Sequence, residues 1–123
     1  LINGFSMSLQ TESRSDAFIV RPHGLLSMEV AHEMEELLEI ALSDGLRKVV
    51  FDFSELTMIS SDGLRVILKS LRRLRELDGN AVLAGAGEQV RSVLAAGGFF
   101  ALLDEFESVE AALGLPTDDD SAL

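Results

Sequence analysis

Two hydroxyls, a carboxylate and a residue without a side chain stand together at Ser60-Ser61-Asp62-Gly63. They precede a run in which Leu64, Ile67, Leu68, Leu71, Leu74 and Leu77 recur at steps of three and four, the spacing of one helical face. A serine ahead of such a run is an N-cap. Its side-chain oxygen accepts a hydrogen bond from a free helix N–H, worth about 1 kcal/mol. Asp62 in the first turn complements the positive end of the helix dipole. One cap needs one serine, and two are present. Gly63 disfavours a helix by about 1 kcal/mol relative to alanine, so its place implies a close approach of another group to the backbone. The helix also carries Arg65, Lys69, Arg72, Arg73 and Arg75, five of the ten basic residues in an acidic chain. That strip reads equally as a docking surface or as a solvated face.

Other candidate chemistry falls short. Gly85-Ala86-Gly87 follows an apolar run, but position 90 is Val90, so a dinucleotide loop of the form Gly-x-Gly-x-x-Gly is not completed. His32-Glu33 lies in a helical pattern with Glu36, not histidine, at the zinc-protease position. His23 stands beside Pro22 in a turn. The acidic run Glu29, Glu33, Glu35, Glu36 and Glu39 lies on an amphipathic helix, where it forms a solvated face able to steer a basic partner. Asp118-Asp119-Asp120 is a solvated charge run. No nucleophile, base and orienting group can be assembled. The expectation is a chain that is not an enzyme and takes no metal or cofactor.

The elements that must position the serine junction follow from pattern and punctuation. Leu9–Glu12 and Ala17–Arg21 read as strands, with a connection short enough to make them antiparallel. Ser27 caps a helix that ends at Asp44-Gly45. Lys48–Phe53 is a near-continuous apolar run, the mark of a strand buried on both faces. Ser54–Ile59 reads as a connector into the helix opened by the serines. Ala81–Ala84 is a strand, Glu88–Ala96 a helix broken by Gly97-Gly98, and Leu102-Leu103 a last strand. Ser108 caps a final helix over Val109–Leu113. Alternating strands and helices predict an α/β fold, a mixed sheet with helices packed on it. A single domain over 7–115 is expected, with residues 1–6 outside it and 116–123 an acidic disordered tail.

Composition narrows the function. The chain has 123 residues, no cysteine, no tryptophan and no tyrosine, and a formal net charge of −11. So acidic a surface opposes binding to nucleic acid and to anionic membranes, and favours protein partners. No apolar run reaches the roughly 20 residues that span a bilayer, so direct membrane insertion is not expected. A cytoplasmic location fits the lack of cysteine.

The run Val49-Val50-Phe51-Asp52-Phe53-Ser54, followed by Ile59-Ser60-Ser61-Asp62-Gly63-Leu64-Arg65-Val66, resembles the core motif of STAS domains. The likeness extends through Gly24, the Gly79 turn and the Gly98-Phe99 break to the closing helix. It implies a mixed sheet of four or five strands with helices mainly on one side. It also implies an anti-sigma factor antagonist, a module that binds an anti-sigma factor serine kinase and so frees a sigma factor. In such antagonists the junction commonly reads Asp-Ser-Ser-Gly, and one serine is phosphorylated. Counting back from Gly63, the acceptor falls on Ser61, with Ser60 the alternative. Ser60 stands where the family has aspartate, and Asp62 where it has the second serine. Ser60, Asp62, Gly63, Arg65 and Lys69 would face the partner, and a serine phosphatase would reverse the modification. The alternative within the same family is a STAS subunit of a membrane transport complex, of the lipid-transport ATPase type, docking without phosphorylation.

Overall fold

A computed structural model describes residues 4–5 and 8–115 of the chain. The expectations for the rest of 1–7 and for 116–123 lie outside those residues. Strands β1 (Gly4–Phe5), β2 (Leu9–Arg14), β3 (Ala17–Pro22), β5 (Lys48–Asp52), β7 (Asn80–Ala84) and β8 (Asp104–Phe106) lie side by side in that order. The first three pair antiparallel and the remainder parallel. The body of the sheet is thus five mixed strands, with the two-residue β1 on its edge. Strands β4 (Gly24–Leu26) and β6 (Leu56–Ile59) form a separate parallel ribbon.

Helices α1 (Met28–Ser43), α2 (Ser61–Glu76) and α3 (Glu88–Ala96) share one apolar core with one face of the sheet. Met34 and Leu38 of α1, Ile67 and Leu74 of α2, and Leu94 of α3 meet Phe18, Val49, Phe51 and Leu83 there. The short helix α4 (Val109–Ala112) covers the opposite face, over Ile19, Val50 and Val82. Alternation along β5 explains why its run is apolar throughout: Val49 and Phe51 face the three helices, and Val50 faces α4.

Four elements differ from the sequence expectation: β1 and β4 lie where no strand is expected, β6 lies inside a connector, and β8 starts late. The Ser54–Ile59 connector contains β6. Its burial runs buried, exposed, exposed, buried rather than alternating, and the ribbon register shifts between Gly24 and Leu25, so no strand period is visible. The last strand begins at Asp104, after Leu102-Leu103. Phe99–Ala101 forms a 3₁₀ turn that buries Phe99 and Leu103 in the core and leaves Leu102 exposed.

The packed face of α2 is also rotated from the leucine stripe. Gly63, Val66, Ile67, Ser70 and Leu74 are buried, whereas Leu64, Leu68 and Leu71 are half-buried on its flank. Two small residues in that face let the helix lie close. Ser70 is satisfied within the helix, donating to the Val66 carbonyl at 2.8 Å.

Candidate functional site

The serine junction is built on the β4–β6 ribbon. Ser60 directly follows β6, and its backbone N–H donates to the Leu26 carbonyl of β4 at 3.0 Å. Its hydroxyl donates to the same carbonyl at 2.7 Å. That hydroxyl also accepts from the Gly63 N–H at 3.0 Å, which makes Ser60 the N-cap of α2. Its polar capacity is directed into the fold.

Ser61, one residue on, is the first residue of the helix. It is exposed, and no hydrogen bond to its hydroxyl occurs among the described residues. Sequence left open which serine is the cap, and the Leu26 carbonyl decides it. Asp62 sits in the first turn and pairs with Arg65. Gly63 is buried. A Cβ there would stand 2.9 Å from both the Leu26 Cγ and carbonyl oxygen, and 3.0 Å from the Ile59 Cγ2. The expected close approach is therefore to the ribbon beneath the helix.

The basic strip is largely engaged. Lys69 Nζ lies 2.6 Å from Glu35, and Arg73 Nε lies 3.2 Å from Glu39. The acidic row of α1 and the basic row of α2 thus face each other across the helix–helix seam. Arg72 and Arg75 are exposed and have no ion pair among the described residues. Met28, His32, Glu35, Asp62, Arg65, Val66 and Lys69 line a hollow of about 270 Å³ beside the junction. Of the residues singled out from sequence, Ser60, Ser61, Asp62, Gly63 and Arg65 form one cluster, and Lys69 closes the far side of that hollow.

Two residues outside that set hold the loop that delivers the junction. Asp52, at the end of β5, is buried and accepts from Arg21 Nε at 2.6 Å and from the Ser54 N–H at 3.1 Å. The second bond shapes the turn into β6. Arg21 is brought there only by the β3–β5 pairing, which spacing in sequence does not reveal. Among the described residues, no three His, Asp or Glu side chains are grouped to hold a metal ion. His23 lies 3.1 Å from Gln10, and His32 lies 3.9 Å from Glu36.

A mixed five-stranded sheet, three helices on one face and a capped helix start above a small ribbon define the SpoIIAA-like class of α/β domain. Residues 8–112 match the STAS domain, and the chain belongs to that family. It is 33% identical over 106 residues to BtrV of Bordetella bronchiseptica, which bears the name of an anti-sigma factor antagonist; the match covers 86% of this chain and 91% of that one. TM1081 of Thermotoga maritima superposes with a TM-score of 0.79 at 22% identity, over 86% of this chain and 92% of that one. Bacillus SpoIIAA in its phosphorylated form gives a TM-score of 0.71 at 20% identity, over 85% and 96% of the two chains. The chain is an anti-sigma factor antagonist-like STAS domain. No helix among the described residues is long and apolar enough to cross a membrane.

Proposed function

We propose that the chain is an anti-sigma factor antagonist switched at Ser61. Unmodified, the junction docks on an anti-sigma factor that is also a serine kinase, and the sigma factor is released. The observation that carries this reading is the division of labour between the serines. Ser60 is consumed by Leu26 and Gly63, while Ser61 presents a free, exposed hydroxyl at a helix start.

In the modifying step Ser61 Oγ attacks the γ-phosphorus of ATP. The new O–P bond forms as the bridging bond to the β-phosphate breaks. ADP departs, and the hydroxyl proton passes to a base of the kinase. The kinase supplies the catalysis, and this chain is its substrate. A serine phosphatase hydrolyses the phosphoester and resets the switch.

The departures from the family motif are compatible with this role. Serine caps a helix about as well as aspartate, so Ser60 keeps the cap. The carboxylate of Asp62, beside the acceptor, is matched by Arg65. A phosphate carries about −1.5 to −2 charge at neutral pH. A helix N-terminus accommodates it, so the fold persists. The docked complex does not, because the dianion would have to be stripped of water against the partner's apolar face. SpoIIAA, solved in phosphorylated and unphosphorylated forms, supports a switch of this kind on this fold.

The test is binding of Ser61→Ala and Ser61→Glu to the purified cognate kinase. Ser61→Ala should bind like the wild type, and Ser61→Glu at least about tenfold more weakly, the equivalent of 1.4 kcal/mol. Equal binding by both removes the switch. Stable co-purification with a transport ATPase, with no phosphate on Ser61, would support the transport-subunit alternative instead.

A further inference from the structure

The ribbon beneath the junction turns apolar side chains outward as well as inward. Leu26 and Ile59 face inward, against Gly63. Their neighbours Leu25 and Met58 pair in register on the outer face and are 48% and 62% exposed. Met28, at the start of α1, is 58% exposed and lines the same hollow as Asp62 and Arg65. Three of the large exposed apolar side chains of the described structure therefore stand on the elements that meet at the junction: Leu25 next to Leu26, which holds Ser60, Met58 three residues before Ser61, and Met28 on the hollow that Asp62 lines. A grouped apolar patch of this kind marks a contact surface, whereas isolated exposed apolar residues do not.

We infer that Leu25, Met28 and Met58 form the docking collar for the kinase that acts on Ser61, and that the matching kinase face is apolar with a basic rim. This rests on the reading given under Proposed function. The charge around the collar selects the occupant. Glu29 follows Met28 and is exposed. Glu55 is exposed, and its carbonyl accepts from the Gly24 N–H, so it stands beside Leu25. The nearest cations, Arg65 and Lys69, are already paired with Asp62 and Glu35. The rim is thus acidic and calls for lysine or arginine opposite. A second copy of this chain would bring the same acidic rim, on a body of net charge −11, against itself. Methionine suits the collar, since its unbranched side chain adapts to the opposing surface.

The collar can be separated from the switch by titration calorimetry with the purified cognate kinase. Met28→Glu and Met58→Glu should each weaken binding at least about tenfold, the effect of an interface anchor. Met58→Leu, which keeps the apolar contact, should bind like the wild type. Glu29→Lys with Glu55→Lys should also weaken binding, and thermal melts of all four variants should match the wild type. If the wild type binds and Met28→Glu and Met58→Glu bind equally well, the collar is refuted while the Ser61 reading stands. If the wild type does not bind the kinase, both fall. A wild-type dimer in sedimentation velocity that Met58→Glu dissociates would assign the collar to a second copy and overturn the inference.

Discussion

Ser60 and Leu26 are joined twice, 34 residues apart in sequence: the N–H and the hydroxyl of Ser60 both donate to one carbonyl oxygen, at 3.0 and 2.7 Å. The start of α2 is therefore anchored to β4, not merely capped. One serine locks the junction, and the next is left exposed.

This division predicts unequal stability effects at adjacent residues. Ser60→Ala removes the cap and one of the Leu26 bonds, and should lower unfolding free energy by about 1–2 kcal/mol. Ser61→Ala removes no hydrogen bond and should stay within about 0.5 kcal/mol of the wild type. Urea denaturation of the two variants compares them directly. A larger loss at Ser61 would exchange the roles.

Gly63→Ala should destabilise the protein although alanine favours a helix by about 1 kcal/mol. The added methyl would sit 2.9 Å from the Leu26 carbonyl oxygen, and that backbone is tied to Ser60. Overpacking of this kind costs about 1–3 kcal/mol. A thermal melt at or above the wild-type midpoint would mean that the ribbon has room to move.

The same contacts show what sequence could and could not disclose. The capped start of α2, the doubly buried β5 and the mixed sheet were legible because they rest on local signals: serine before a helical period, and an unbroken apolar run. The assignment of the cap to Ser60 was not, because it depends on a carbonyl in another strand. Strand β6 was hidden by its irregular burial. The basic residues of α2 were visible as a strip. Their partners Glu35 and Glu39 lie on α1, and only helix packing brings the rows together. The collar of Leu25, Met28 and Met58 was missed for a different reason: an apolar residue in a connector or in the first turn of a helix does not disclose from sequence whether it is buried or exposed.

Arg21 and Asp52 form a pair in which the aspartate is buried and the arginine side chain is 22% exposed. Arg21→Met should leave Asp52 as an uncompensated buried carboxylate. The cost of breaking a buried pair is about 3–5 kcal/mol, and the partial exposure of Arg21 places this case near the lower end. Replacing both, as Arg21→Met with Asp52→Leu, should recover part of the loss in a double-mutant cycle. A single-variant effect below about 1 kcal/mol would class the pair with ordinary surface contacts.

The α1–α2 ion pairs should matter little to stability. Lys69 and Arg73 are well exposed, so Lys69→Ala and Arg73→Ala should each cost under about 1 kcal/mol, with the effect fading in high salt. Because Lys69 is engaged by Glu35, Lys69→Ala should also impair kinase binding less than Met58→Glu does. Calorimetry with both variants checks the order, and a reversed order would make the strip, not the collar, the principal contact.

Ser61, and not Ser60, is the residue expected to receive the phosphate. Phosphosite mapping by mass spectrometry, after incubation of the full chain with the purified cognate kinase and ATP, tests it most directly. A single phosphate on Ser61, and none on the Ser61→Ala variant, is the expected result. Phosphate on Ser60, or none on a wild-type chain that binds the kinase, would contradict it.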